Sequence, residues 1–347
     1  MTIERIDPTT DRRWQAFIQT HREAGIFHTP EWLRALRRTY GYEPVAYAAA
    51  SPGDGFSSGI PFCTIKSRLT GRRLVSLPFS DHCQPLAAGA DELRELLAAA
   101  KNDARESGCK YVEIRPLAAG DACAVEAADL HESHRAFIHR LDLSVGEENV
   151  FRNAHKSCVQ RKIARSERER FRYEEGRSED LLHKFYRLLL LTRRRHQIPP
   201  QPLSWFRNLN DCLGERLKIK LLSLRDTPVA SIITLSFKNT VTYKYGCSDS
   251  RFNPLGATVL LLWRTIQDAI RAGATEFDLG RSDHDTPGLV AFKDHWGAQR
   301  YGLTYYRYPG SPSGSPNRIP GAAKHLLTAL PDPVFTALGW ALYRHVG

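Results

Sequence analysis

The sequence lacks the marks of a secreted or membrane-spanning protein. Its first seven residues include charged side chains and have no apolar core like that of a signal peptide. No apolar run approaches the roughly 20 residues that a bilayer-spanning helix needs. We therefore expect a cytoplasmic protein whose contact with the inner face of the membrane, where it exists, is peripheral.

Cysteine pairing and closely spaced metal ligands are also missing. The seven cysteines are odd in number, and none belongs to a Cys-x-x-Cys pair. This pattern argues against both a disulfide framework and a zinc knuckle. Among the histidines, His131 and His134 are closely spaced, but no third ligand lies near them in the sequence. We expect reduced thiols and no metal site.

The sequence has fewer acidic than basic residues. The chain of 347 residues has 38 Asp and Glu against 49 Lys and Arg, a net charge of +11. Such an excess favours polyanionic partners: nucleic acid, phosphorylated carriers or an anionic membrane surface. The most basic stretch, 151–172, could bind phosphates or could be a solvated helix. Its candidate phosphate-binding residues are Lys156, Arg161, Lys162 and Arg165.

The two halves of the chain show the same order of predicted elements. The first half begins with two short helices, the second of which starts after Thr29 with Pro30, and continues with short strands, a helix over 91–107 and a strand over 111–115. The second half repeats this order as helix 179–195, strands 217–224, 229–237 and 240–247, helix 257–272 and strand 275–279. The repeat indicates two similar α/β domains.

Three segments follow from this order. We predict an N-terminal domain over 1–148 and a C-terminal domain over 149–308. The remaining segment, 309–347, begins with a linker rich in Gly, Pro and Ser. It is predicted to end in a tail of two short helices that packs on the N-terminal domain.

The block from Lys238 to Tyr308 contains the motifs with chemical meaning. Tyr243 and Tyr245 alternate on a predicted strand and would share one face. A second strand ends in Phe-Asp-Leu-Gly-Arg-Ser over 277–282, and Phe-Lys-x-x-Trp-Gly follows over 292–297. These motifs place polar side chains at strand ends and on the loop that follows, where they could converge on a cleft.

The order and spacing of these motifs resemble the FemAB-like family, which comprises the Fem aminoacyltransferases and related GNAT-type acyltransferases. Within it, the Gly-Arg-Ser strand end followed by Thr286, Gly288 and Phe292-Lys293 is most similar to the subgroup associated with exosortase and exopolysaccharide systems. The resemblance implies an α/β (α+β) fold of two tandem GNAT-like domains, with mixed, mainly antiparallel sheets flanked by helices.

The resemblance also implies transfer of an activated acyl group to an amine of a cell-envelope, polysaccharide or secondary-metabolite precursor. For the Fem enzymes the donor is an aminoacyl-tRNA. The first alternative is an N-acetyltransferase that uses acetyl- or acyl-coenzyme A, and the second is a non-catalytic scaffold in envelope assembly. No tightly bound cofactor is expected, and the sequence does not indicate an oligomeric state.

Roles for individual residues follow from the motif block and the family. Lys293, on a loop after a strand, would stabilise developing charge or bind phosphate. Asp278 could accept the proton of the attacking amine, or could brace the loop by pairing with Arg281. Tyr243 would orient the acceptor. The remaining candidates for substrate binding are Arg281, Phe292, Tyr245, Trp296 and Arg195.

A possible donor loop precedes the predicted helix 257–272. The coenzyme A loop of GNAT enzymes reads Gln/Arg-x-x-Gly-x-Gly/Ala, and Arg251 and Gly256 fit this pattern. Pro254 replaces the first glycine and removes a backbone N–H donor. This departure weakens the coenzyme A interpretation, and a plain helix cap is the alternative. The long helical hairpin that some Fem relatives carry is also missing.

Overall fold

The computed structural model describes residues 2–51, 53–117, 128–310 and 330–346. These residues divide into two compact units. The first contains 2–136, 302–310 and 341–346, apart from the gaps, and the second contains 137–301 and 330–340. The sequence-based boundaries at 148/149 and 308/309 stay predictions. Part of the predicted linker and the first tail helix lie outside the described residues.

The first unit is a mixed sheet covered by helices. Its helices are α1 (Arg12–Thr20), α2 (Pro30–Tyr40) and α3 (Ala90–Glu106). Its strands are β1 (Ile3–Ile6), β2 (Glu43–Ser51), β3 (Gly55–Ser67), β4 (Gly71–Ser76) and β5 (Val112–Ile114). Neighbouring strands pair antiparallel, except that β4 and β5 are parallel. As the sequence predicted, the Thr29 side chain caps α2 at Trp32 N–H.

The second unit repeats this plan. After the end of β6 (His131–Asp142) come α4 (Glu147–Asn153), a π-helical turn (Lys156–Gln160) and α5 (Arg161–Ser166). The repeat itself consists of β7 (Arg172–Gly176), α6 (Glu179–Arg195), α7 (Leu203–Leu213), β8 (Leu217–Leu224), β9 (Thr227–Phe237), β10 (Thr240–Ser248), α8 (Ala257–Arg271) and β11 (Glu276–Asp283). The strands pair antiparallel from β7 to β10, and β10 pairs parallel with β11. This duplicated order confirms the predicted α/β fold of tandem domains.

The last elements are α9 (Pro287–Asp294), β12 (Gln299–Tyr308) and α10 (Asp332–Val346). None of the helices in the described parts of the chain is both long enough and apolar enough to span a bilayer. In the second unit, the guanidinium of Arg194 lies 4.6 Å from the ring centroid of Phe335 on α10. In the first unit, Tyr42 donates a hydrogen bond to the carbonyl of Tyr343 at 2.7 Å.

One large hydrophobic core lies on the α8 side of the second unit's sheet. It buries the apolar face of α8 against β8 to β11 and includes the fully buried Trp296. Phe185 of α6 and Phe206 of α7 contact each other on the opposite face, at a ring-centroid distance of 5.2 Å. Burial on both faces fixes β10 and β11 as central strands, and the candidate site lies where these two strands part.

Candidate functional site

The parallel strands β10 and β11 separate partway along their length. Their pairing ends at Thr242 and Asp278, although both strands continue for at least five residues beyond that point. A register shift in β10 between Tyr243 and Tyr245 begins at the same place. Beyond Thr242 the β11-facing edge of β10 therefore has no ladder partner on β11. We infer that the diverging strand ends form the walls of a cleft, in which backbone hydrogen-bonding groups of β10 are available.

Two buried charged residues hold the β11 wall. Asp278 is 2% exposed and accepts a hydrogen bond from the Gly280 N–H at 2.7 Å. Lys293 is 5% exposed, and its Nζ donates to the carbonyls of Gly280 at 2.7 Å and Arg281 at 2.8 Å. Gly280 has φ of 75°, a conformation that favours glycine. These bonds fix a strand end that departs from regular β geometry.

One sequence-based expectation about this wall needs correction. Lys293 lies on α9, not on a loop, because Pro287 begins a short helix that ends just after the lysine. Its ammonium group points at backbone carbonyls, so its first effect is to position Gly280 and Arg281. Arg281 pairs with Asp283, its Nε donating at 2.8 Å. The roles of Lys293, Asp278 and Arg281 in catalysis stay predictions.

A histidine that the sequence analysis missed lies beside Lys293. His139 on β6 is fully buried, and neither ring nitrogen has a hydrogen-bond partner within the described chain. Its Nε2 is 3.4 Å from Oδ1 of Asp294. Burial, and next the charge of Lys293, lowers the pKa of His139 to about 4. The ring is therefore neutral at neutral pH. The strand-like alternation of 131–142 was the available signal, but it did not reveal the partner residues.

Tyr243 and Tyr245 do not share a face, contrary to the sequence-based expectation. Tyr243 packs on the core that contains α8, and its hydroxyl occupies the space where a side chain on Gly246 would lie. Tyr245 is buried on the other side, where its hydroxyl accepts a hydrogen bond from Trp205 of α7 at 2.8 Å. The register shift between the two tyrosines breaks the alternation of the strand. Burial raises the pKa of Tyr243, so its hydroxyl stays protonated.

The aromatic candidates on the β11 side serve mainly to pack the core. Trp296 is fully buried, which leaves no surface for a ligand to contact. Phe292 is partly buried against the same core, with its ring centroid 6.4 Å from that of Trp296. The predicted substrate contact by Trp296 is therefore not supported by its position. Phe292 keeps some exposed surface beside Lys293.

The opposite end of the cleft leads to the N-terminus of α8. A 3₁₀ turn over Ser250–Leu255 follows β10, and Gly256 with φ of 75° begins α8. Ser166 at the end of α5 donates a hydrogen bond to the Leu255 carbonyl at 2.7 Å. A Cβ on Gly256 would lie only 2.3 Å from the Ser166 hydroxyl oxygen. This close contact holds the basic helix α5 against the start of α8.

The basic candidates on this side are exposed. No ion-pair or hydrogen-bond partner is found for their side chains among the residues that the structure describes, and α5 turns only Ile163 and Ser166 inward. These exposed basic candidates are Lys156, Arg161, Lys162 and Arg165.

Arg251 and Arg195 lie at the end of β10. Arg251 is exposed and donates to both carboxylate oxygens of Asp249, and this hydrogen bonding holds the pKa of Asp249 below its usual range. Arg195, also exposed, donates to the Ser248 carbonyl at 3.5 Å. The structure thus brings the donor-loop candidates and the basic helix to one end of the cleft. Lys293 and Asp278 lie along its other wall.

Sequence comparison matches residues 152–294 to the family described as Acetyltransferase (GNAT) domain. This part of the chain is therefore similar to GNAT acetyltransferase domains. The match spans the basic helix, both strands of the cleft and Lys293, and it makes the chain an acyltransferase by domain class. No protein with a curated description matches the sequence.

Solved structures show that the likeness extends beyond this GNAT domain. A crystal structure of FemX has a TM-score of 0.73 at 15% identity, covering 89% of this chain and 97% of that one. A tandem GNAT protein from the clavulanic acid biosynthesis pathway gives 0.59 at 12% identity, covering 90% and 100%. The C-terminal domain of a candidate lysylphosphatidylglycerol synthetase from Agrobacterium fabrum gives 0.58 at 13%, covering 86% and 92%. These likenesses confirm the tandem GNAT fold and the resemblance to Fem proteins.

Proposed function

We propose that the protein transfers an aminoacyl group from an aminoacyl-tRNA to an amine of a cell-envelope, polysaccharide or secondary-metabolite precursor. The observation that carries this proposal is the unpaired basic surface that flanks the N-terminus of α8, at the end of the β10/β11 cleft. A donor with many phosphates is the ligand that such a surface favours.

We infer that the basic surface leads into the cleft. Helix α5 contacts the turn before α8 through Ser166, which donates to the Leu255 carbonyl, so the basic helix packs against the start of α8. A helix N-terminus attracts phosphate through these N–H groups and through its dipole. Phosphates held there would direct the activated acyl group toward the β10 wall, where the strand edge facing β11 is open.

The reaction needs few side chains. The acceptor nitrogen attacks the acyl carbon, the ester bond to the donor breaks, and the proton lost by the nitrogen ends on the departing tRNA hydroxyl. Open backbone N–H groups of β10 near the register shift could stabilise the oxyanion. Lys293 would keep the Gly280–Arg281 wall in place, Tyr243 would orient the acceptor, and Asp278 would accept the proton. These assignments are part of the proposal.

A second donor class is favoured by one specific feature. Gly256 and Ala257 begin α8 as the GNAT coenzyme A loop would, and Arg251 lies exposed on the preceding turn. Acyl-coenzyme A carries a pyrophosphate that could bind there. Pro254 provides no N–H at the position of the first glycine, and a coenzyme would leave much of the α5 surface unused. We therefore rank acyl-coenzyme A second.

The acceptor and its location are also proposals. The motif order around Gly280 and Lys293 resembles that of the exosortase and exopolysaccharide subgroup, and this resemblance favours a saccharide or envelope amine. Peripheral contact with the inner face of the membrane would bring the enzyme to such an acceptor. The non-catalytic scaffold would gain support if neither donor class bound.

The test is a binding and transfer assay on the full chain, with charged tRNA, uncharged tRNA and acetyl-coenzyme A at several salt concentrations. The double variant Lys162→Glu/Arg165→Glu should weaken tRNA binding and lower the salt-dependence slope by about 2, one for each lost phosphate contact. Arg12→Glu/Arg22→Glu changes the net charge equally on exposed residues of the first unit and serves as the control.

The outcomes separate the donors. Preference for charged tRNA, lost in the α5 variant and kept in the control, would support the proposal. Saturable coenzyme A binding that disappears in Gly256→Ala, without tRNA preference, would establish the second donor class instead. Equal weakening in both double variants would show that the tRNA binding is a nonspecific effect of net charge.

A further inference from the structure

Three potential metal ligands come together from two distant parts of the chain. One ligand atom from each of His155, Cys158 and His295 lies within 4.8 Å of the other two. His155 precedes the π-helical turn that contains Cys158, and His295 follows α9 directly. His155 is exposed and the other two are partly exposed, so an ion could reach them from solvent.

Contacts that do not involve a metal already hold these residues together. The backbone N–H of His155 donates to the carbonyl of His295 at 2.7 Å, and their imidazole centroids are 4.6 Å apart. Two residues after His295, a Cβ added to Gly297 would lie 3.3 Å from the carbonyl oxygen of Asn153, so the two chain segments are in close contact. Little rearrangement is needed to bring the three side chains onto one ion.

We propose that His155, Cys158 and His295 bind a divalent transition metal ion of the zinc type, with one coordination position left open. Two imidazole nitrogens and one thiolate sulfur form a set that suits Zn²⁺, whereas Mg²⁺ and Ca²⁺ prefer oxygen ligands. Three protein ligands leave the fourth tetrahedral position to water or to a substrate group. Binding forms the sulfur–metal bond and releases the thiol proton to solvent.

The hydrogen bonds at Nδ1 of His155, to the Cys158 N–H and to the Ser157 hydroxyl, must be exchanged when the ion binds. The His155 Nδ1 accepts a hydrogen bond at 3.2 Å from the Cys158 N–H at the start of the helical turn. A neutral imidazole has a single lone-pair nitrogen, so a metal on either ring nitrogen removes this acceptor. The neighbouring Lys156 also opposes a dication, while the thiolate offsets part of that repulsion. The site should therefore bind reversibly.

The position of the three ligands means that a bound ion would connect two segments of the second unit. His295 lies two residues beyond Lys293, and His155 lies at the beginning of the basic stretch. A bound ion would tie the end of α9 to the π-helical turn before α5. Metal should consequently raise the melting temperature of the protein, in the absence of any donor or acceptor.

The test uses the full chain, stripped of metal with a chelator under reducing conditions and titrated with Co²⁺. A thiolate ligand gives a sulfur-to-cobalt charge-transfer band, and we expect one equivalent of Co²⁺ that Zn²⁺ then displaces. Cys158→Ser should abolish this band, and His155→Gln and His295→Gln should each weaken Zn²⁺ binding at least about tenfold. Cys109→Ser, at a partly exposed cysteine of the first unit, should leave binding unchanged.

Two readouts guard against misfolded variants. Melting curves in chelator should coincide for all variants, and Zn²⁺ should protect Cys158 of the unaltered protein from alkylation while Cys109 still reacts. A charge-transfer band that survives Cys158→Ser would overturn the proposal. So would the lack of a saturable band, or equal alkylation of Cys158 with and without Zn²⁺. All of these readouts are independent of acyl transfer.

Discussion

Replacing His139 by leucine should remove much of the acid sensitivity of the second unit. The wild-type imidazole is fully buried with two nitrogens that lack hydrogen-bond partners in the described structure, and Lys293 lies close enough to depress its pKa. Leucine has a similar volume, carries no polar atom and cannot bind a proton. Glutamine at the same position also cannot titrate, but it retains polar atoms.

The sign of the effect follows from the pKa values of the two states. The pKa of His139 is about 4 in the folded chain and roughly 6.5 in an unfolded one. The unfolded state therefore binds more protons between these values, so stability is complete above pH 6.5 and decreases as the pH falls towards 4. The full shift corresponds to about 3 kcal/mol. A titration that stops at pH 4.5, above the folded pKa, should reveal about 2 kcal/mol of it.

Urea unfolding of the full chain between pH 4.5 and 8, followed by tryptophan fluorescence, measures this effect. Both His139→Leu and His139→Gln should flatten the pH dependence by the same amount. At pH 7.5 the leucine variant should be the more stable of the two, since a buried polar group without a partner costs about 1–3 kcal/mol. A leucine variant that retains the wild-type pH dependence would refute the reasoning.

His28 provides the comparison in the first unit. Burial also lowers its pKa to about 4, but its Nδ1 accepts a hydrogen bond from Gly25 N–H at 3.0 Å and its Nε2 is 2.8 Å from the Gln84 carbonyl oxygen. At pH 7.5, His28→Leu should therefore lose about 1–3 kcal/mol for the unsatisfied backbone groups that remain. This loss should narrow as the pH falls, because the variant also lacks the group whose pKa is depressed. A His139 variant that behaved in the same way would indicate a hydrogen bond to the ring.

The other predictions concern the cleft and the start of α8. Lys293→Met should leave the carbonyls of Gly280 and Arg281 without the lysine as donor. The free energy of unfolding, measured by urea titration, should fall by about 1–3 kcal/mol, and acyl transfer should decrease. Full activity with unchanged substrate affinity would contradict the role assigned to Lys293. Gly256→Ala should destabilise the protein by at least about 1 kcal/mol, because of its positive φ and the contact with Ser166, and should weaken donor binding in calorimetry. Adding Ser166→Gly should recover part of the stability if that contact is the cause, and no recovery would assign the loss to φ alone.

Much of the fold was predictable because local signals agreed with tertiary packing. Helix Glu179–Arg195 and strand Leu217–Leu224 have the predicted bounds, since each has a clear apolar period and a capped or turn-bounded end. Helix α7 was missed, although Trp205, Phe206 and Leu209 show helical spacing after a proline-rich stretch. The preceding Pro-Pro-Gln-Pro run is typical of a loop and provides no helix-start signal.

The site was less predictable because it depends on events that a local pattern does not contain. One register shift in β10 moves Tyr245 away from the face that Tyr243 occupies, and no residue type marks that shift. Lys293 was expected on a loop beside Phe292, yet it lies on the eight-residue helix α9, which turns it inward. His155 and Cys158 meet His295 only through folding, because these segments are far apart in the sequence.

The duplication supports placing the proposed chemistry in the second unit. In the first unit the parallel strands end together: β4 stops at Ser76 and β5 at Ile114, which are paired with each other. In the second unit β10 and β11 continue past their last pair, and only such an extension creates an open strand edge beside a second strand. The same topology thus yields a closed strand pair in one copy and a cleft in the other. The GNAT match over 152–294 falls on the copy with the cleft.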